Sequence, residues 1–162
     1  METPLTIRVD DATGAPTVEL LRLHAEGMEA NSPSGACHYF DVAEFQRPDV
    51  TLWTAWFADV GDAEQLAGCG ALLELDGRHG EIKSMRTAPA ALGRGVGRAM
   101  LDHIVEVARE RGYRRLSLET GRGSAFDAAI GLYESSGFAE CGPFADYAES
   151  DFSRYFTLLL AP

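Results

Sequence analysis

Basic residues are scarce. The 162-residue chain has 14 lysines and arginines against 25 aspartates and glutamates, a formal net charge of -11. A surface for nucleic acid or for an anionic membrane needs clustered cations, so this balance argues against both partners. The same field would suit a cationic substrate, and it equally serves plain solubility. Cysteines are few. Cys37, Cys69 and Cys141 are odd in number and widely spaced, which argues for free thiols and a reducing, cytoplasmic setting. No apolar run is long enough to span a bilayer. The opening METPLTIRVD lacks a basic n-region and an apolar h-region, so no secretory signal is expected. Repeats, low-complexity tracts and linkers are missing too, and the length suits one domain covering residues 1–162.

Several chemistries fail on spacing. The nucleotide loop G-x-x-x-x-G-K-S/T does not occur, which disfavours a nucleotide-binding protein. Cys37, His38, Cys69, His79 and Cys141 include no ligand pair at finger-like spacing, so no metal is expected. The adjacent Cys37-His38 pair would point apart in extended chain and has no oxyanion motif around it, which disfavours a cysteine nucleophile.

What is present centres on GEIKSMRTAPAALGRGVGRAMLDHIVEVARER, Gly80 to Arg111. Glu81 to Thr87 predicts a strand that Pro89 stops. Gly93, Arg94, Gly95, Val96 and Gly97 predict a turn. Gly97, Met100, Leu101, Ile104, Val105 and Ala108 recur at helical spacing. Glycines at a helix mouth admit a close ligand, and the first helical amides are unpaired donors at the positive end of the dipole. That combination suits a phosphate or pyrophosphate, with Arg94 and Arg98 adding charge. The dinucleotide fingerprint G-x-G-x-x-G fits Gly93 and Gly95 but puts its third glycine on Arg98.

Elsewhere, Leu5 to Val9 predicts a strand, and Thr17 a cap for a helix with Val18, Leu21 and Met28 on its apolar face. Asn31 to Ala36 breaks that helix. Val50 to Ala58 and Leu66 to Leu75 predict strands flanking a turn at Asp59 to Glu64. Asp76-Gly77 predicts a hairpin into the central strand, and Arg111-Gly112 a left-handed helix end. Arg115 to Glu119 predicts a strand, Phe126 to Ser135 a helix closed by Gly137, and Ala139 to Cys141 and Ser153 to Leu160 the last strands. A meander followed by a β-α-β crossover implies a mixed sheet with helices on its faces.

The string L-G-R-G-V-G resembles the pyrophosphate loop Q/R-x-x-G-x-G/A of the GNAT superfamily of N-acetyltransferases. Gly95 and Gly97 match its small positions, and Leu92 stands where Gln or Arg is usual. The segment AAIGLYESSGF, Ala128 to Phe138, is similar to the family's A-x-x-L-Y-E-x-x-G-F. EIKSMRT, LSLETG and CGPFADY look like a bacterial subgroup. The element order agrees along nearly the whole chain. The resemblance implies an α/β fold with a mixed, mostly antiparallel central sheet of six to seven strands and helices on both faces. It also implies acetyl-CoA as co-substrate, direct transfer to an amine of a small molecule or peptide, and a homodimer as the family-level expectation. The alternative is a non-catalytic acyl-CoA sensor of the same fold.

Within that resemblance the central strand would splay from the next parallel strand, and backbone groups of Met85, Arg86 and Thr87 would pair with pantetheine. Leu92, Gly93, Arg94, Gly95, Val96, Gly97 and Arg98 would hold the pyrophosphate. Glu81 and Glu119 are the candidate bases, with Glu81 preferred because its strand would present the thioester. The alternative for either is a salt bridge to Arg86 or Lys83. Tyr133 is the candidate acid at the sulfur, or else a packing aromatic. Phe126 replaces an asparagine that often contacts the cofactor. Asn31 to Phe40, with Tyr147, would form part of the acceptor pocket or an ordinary solvated loop.

Overall fold

The computed structural model describes residues 3–36, 38–58, 61 and 63–162. The turn expected at Asp59 to Glu64 therefore lies partly outside the described residues, as does Cys37. Strands β1 (Leu5–Asp10), β2 (Val50–Ala58), β3 (Glu64–Asp76), β4 (His79–Thr87), β5 (Arg115–Thr120), β6 (Ala139–Cys141) and β7 (Arg154–Leu159) form one sheet, with helices α1 (Ala15–Ala30), α2 (Val96–Glu110) and α3 (Asp127–Ser135). The sheet order is β1-β2-β3-β4-β5-β7-β6. Every pairing is antiparallel except β4 with β5. This is the mixed, mostly antiparallel sheet that the sequence implied.

Side-chain alternation along β2 and β3 builds a core on each face. Leu52, Cys69 and Ala71 pack with Leu20 and Leu21 of α1. Trp53, Ala55 and Leu72 pack with Met100, Leu101 and Ile104 of α2. Helix α3 lies beside α2: Arg98 donates to Ser135 Oγ and Ser136 Oγ. Thus α1 covers one face, and α2 with α3 the other.

Two details depart from the sequence reading. Thr17 does not cap α1. The cap position is Gly14, with Pro16 in the first turn, where its missing N–H costs nothing. Thr17 is buried and donates to Asp10 Oδ2 at 3.0 Å, as Thr54 does, so Asp10 ties α1 to β1 and β2. Phe126 precedes its helix, in a 3-10 turn over Ser124–Phe126.

β4 is bulged. Lys83 faces Ala71 and Arg86 faces Cys69, so Ser84 and Met85 together oppose Gly70. Ser84 takes a left-handed φ of 56°, a strained conformation for a side-chain-bearing residue. At Gly70 a Cβ would lie 2.7 Å from Met85 Sδ and 2.8 Å from Met100 Cγ, so no larger residue fits opposite the bulge. The extra residue resets the alternation. Glu81, Lys83 and Arg86 face α1, while Ile82 and Met85 pack in the α2 core.

Candidate active site

β4 and β5 stay together for three pairs only, ending at Glu81 with Ser117. Beyond that point they separate, and a cavity of about 180 Å³ opens between them. It is lined from both faces of the sheet: by His24, Gly27 and Asn31 on the α1 side, and by Met85, Phe126, Ala129 and Tyr133 on the α3 side. Glu81, Lys83, Arg86 and Glu119 line it from the diverging strands.

Glu81 is 3% exposed. Its Oε2 accepts from the Tyr147 hydroxyl at 2.6 Å and from Lys83 Nζ at 3.4 Å. Lys83 Nζ also donates to the His38 carbonyl at 3.3 Å and sits 4.6 Å from the Phe40 ring centre. Lys83 thus neutralises Glu81 and holds the loop that carries His38. Tyr147 is fixed from the other side by Phe144, Tyr155 and His38, with ring centres 5.1, 5.7 and 5.2 Å away. Burial, and next the Glu81 carboxylate, push its phenol well above the usual range, so it stays a donor.

Glu119 ends β5 with its side chain 9% exposed, and its Oε2 lies 2.6 Å from His38 Nδ1. Burial raises its carboxyl, and His38 opposes that rise. A carboxylate raised in this way is a better proton acceptor than an ordinary surface glutamate.

Arg86 bridges to α1. Its Nε donates to His24 Nδ1 at 3.0 Å, and Nη2 to the His24 carbonyl at 3.3 Å. Burial, followed by the charges of Arg86 and Lys83, pushes His24 down to about 4. The ring is therefore neutral near pH 7, with its proton on Nε2, since Nδ1 accepts.

Tyr133 is 7% exposed, and burial pushes its phenol up to about 12. Its hydroxyl has no hydrogen-bond partner among the described residues, although its ring packs 5.8 Å from that of Phe138. Gly93 and Gly95 both adopt left-handed φ, 76° and 79°. Gly95 is the cap of α2, and neither a side-chain cap nor an acidic residue covers the first turn. Among the described residues the opening amides of α2 therefore have no side-chain acceptor, which fits a phosphate group. The unpaired edge of β4 beyond Glu81 likewise fits an extended amide chain.

The Acetyltransferase (GNAT) family profile matches residues 18–138. The chain belongs to this family. It is 48% identical over 151 residues to the uncharacterized N-acetyltransferase YsnE of Bacillus subtilis, covering 93% of this chain and 97% of that one. Its fold is similar to the crystal structure of a putative acyl-CoA N-acyltransferase from Klebsiella pneumoniae, with TM-score 0.75, 24% identity, and 97% and 98% of the two chains covered. It is also similar to a GNAT family acetyltransferase from Elizabethkingia anophelis with acetyl-CoA bound, with TM-score 0.69, 20% identity, and 96% and 98% covered. This GNAT protein is an acyltransferase, and acetyl-CoA is its co-substrate.

The acetyltransferase cavity gathers Glu81, Met85, Arg86, Glu119, Phe126 and Tyr133, six residues singled out in the sequence. Thr87, at the end of β4, and the turn from Leu92 to Arg98, which leads into α2, stand outside its lining. Leu92 is 67% exposed. Arg94 lies over Phe57, 3.8 Å from the ring centre, and Arg98 is tied to α3, so neither side chain is free of the protein. The salt bridge anticipated for Glu81 is made with Lys83, while Arg86 turns to His24. His38 pairs with Glu119 from 81 positions away. That contact had no sequence signal, because it depends on where the loop after α1 lands. His24 was missed as well. Tyr147 had a signal in CGPFADY.

Proposed function

We propose that this acetyltransferase moves the acetyl group of acetyl-CoA directly to the nitrogen of a small-molecule or peptide amine, in a ternary complex, as one domain spanning residues 1–162 in the cytoplasm. The observation that carries the reading is a cavity between the diverging strands that is lined by both Glu119 and Tyr133. Free thiols at Cys69 and Cys141 support a reducing compartment.

In this reading the N-terminal amides of α2, opened by Gly93 and Gly95, hold the pyrophosphate, and the free edge of β4 from Met85 to Thr87 orders the pantetheine. Phe126 gives that arm an apolar wall. The amine enters on the α1 side. Glu119, held by His38, takes a proton from the ammonium. The neutral amine attacks the thioester carbonyl, so a C–N bond forms while the C–S bond breaks. Tyr133 gives its proton to the departing thiolate. Glu81 is the weaker choice for the base, because Tyr147 and Lys83 already occupy its carboxylate. It keeps Tyr147 and the His38 loop in place.

A thiol-release assay with acetyl-CoA and an amine panel, followed by mass spectrometry of the products, tests the reading. One acetyl group should appear on nitrogen, with turnover dropping by roughly 10²-fold or more in Glu119→Gln. Glu81→Gln should mainly lower the melting temperature, because it leaves Lys83 unpaired. Release of CoA without acylated amine would refute it.

A further inference from the structure

We propose that the acceptor amine carries a carboxylate and that the Arg86 guanidinium binds it, a proposal that rests on the acetyl-transfer reading above. Two cations line the cavity, Lys83 and Arg86. Lys83 is paired with Glu81. Arg86 has no carboxylate within ion-pair distance among the described residues. Its contacts are a ring nitrogen and a carbonyl, both of His24. His24 is held neutral, so it supplies no compensating charge. A guanidinium partly withdrawn from water, without a counter-charge, is costly unless something repays it.

The chain has also made room for this group. Gly27 lies inside α1, where glycine costs about 1 kcal/mol relative to alanine. A Cβ there would stand 2.8 Å from Arg86 Nη2. The guanidinium is therefore seated against the bare helix backbone. Its Nε and one Nη2 hydrogen are committed to His24, and the remaining N–H groups have no acceptor among the described residues. That is the fork that grips a carboxylate. Arg86 and Glu119 sit on strands that diverge across the same cavity. A molecule with an ammonium at one end and a carboxylate at the other matches both. The acceptor class is then the amino carboxylates, despite the acidity of the chain as a whole.

The test uses matched acceptors with saturating acetyl-CoA: the standard L-amino acids, their α-amides and the corresponding decarboxylated amines. Thiol release gives turnover, and calorimetry gives equilibrium binding. The best carboxylate should exceed its amide by about 10- to 100-fold in kcat/KM, mostly through KM. Arg86→Gln should erase that gap, raise KM for the carboxylate alone and leave kcat within about threefold. Arg86→Lys keeps the charge without the fork and should fall between. Glu119→Gln should still bind the carboxylate while failing to acetylate it. If Arg86→Gln does not fold, the acceptor ranking of the parent still decides. Acetylation of neutral amines at equal or better efficiency, a gap that survives in Arg86→Gln, or no binding of any carboxylate would each overturn the assignment. Arg86-dependent binding without acetyl transfer to any amine would instead overturn the transfer reading and leave the carboxylate site standing.

Discussion

His38 Nδ1 and Glu119 Oε2 are 2.6 Å apart, although 81 positions separate the residues. Burial raises the Glu119 carboxyl, and His38 is the largest influence pulling it back. A base must be ionised to act, so kcat/KM should climb as pH rises through the Glu119 value, then level off. Removing His38 takes away a lowering influence. In His38→Ala the climb should therefore move to higher pH. Glu119→Gln should lose the climb altogether. A profile in His38→Ala that is unchanged, or moved to lower pH, would refute the pairing as the source of the base.

The same rise has a consequence for stability. A carboxyl whose folded value is raised favours folding below its unfolded value, and that contribution is lost as pH rises through the folded value. Once ionised, Glu119 is a net burden on the fold. Thermal melts at pH 7.5 should find Glu119→Gln at least as stable as the parent while inactive. A clearly lower melting temperature would mean that the carboxylate is a structural element.

Acid should weaken the fold through His24. Its value falls from 6.5 unfolded to about 4 folded, by burial first and then by Arg86 and Lys83. The unfolded chain binds the extra proton between those values, so stability should be lost as pH drops from about 6.5 to about 4. A shift of this size corresponds to about 3 kcal/mol when complete. His24→Gln should show a shallower decline over that window in a melting-temperature series. Parallel declines for the two proteins would remove His24 as the cause.

Much of this was legible in the sequence, and the limit is physical. Local signals placed the glycine turn, the hairpin at Asp76-Gly77 and nearly every strand, because turn chemistry and periodicity are properties of neighbouring residues. Glu81, Glu119 and Tyr133 were legible as candidates through strand position and motif, and all three line the cavity. The partners were not. His38 to Glu119, Arg86 to His24 and Tyr147 to Glu81 are closed by the fold over spans of 81, 62 and 66 residues. The β4 bulge was hidden as well, since Ser84 has no residue-type preference for a left-handed φ. Without it, Arg86 would face α2, away from His24. Thr17 was misread because a buried threonine serving Asp10 has the same sequence appearance as a cap.

The turn before α2 can be tested by separating backbone from charge. Gly95 has a φ of 79°, and asparagine and aspartate tolerate that region better than other side chains. Gly95→Asn and Gly95→Asp are nearly isosteric, so their strain should be similar. Aspartate should even favour the helix, as a negative cap. Acetyl-CoA affinity by calorimetry should nevertheless be at least about tenfold weaker for Gly95→Asp than for Gly95→Asn, since its carboxylate would stand where phosphate oxygens approach. Equal affinities in the two folded variants would exclude the start of α2 as the pyrophosphate site.

Tyr133 gives the sharpest separation between chemistry and packing. Its hydroxyl has no partner among the described residues, so Tyr133→Phe sacrifices no hydrogen bond, and the ring contact with Phe138 survives. The melting temperature should therefore change little. Acetyl-CoA affinity should also hold, because a single neutral hydrogen bond is worth only about 1 kcal/mol. If the phenol protonates the departing thiolate, kcat should nonetheless fall by roughly 10²-fold. Burial pushes that phenol up to about 12, so it remains a donor throughout the working range. Loss of rate at alkaline pH should not set in before about pH 10, more than one unit below that value. A folded Tyr133→Phe turning over within about twofold of the parent at saturating substrates would show that water or another group protonates the sulfur.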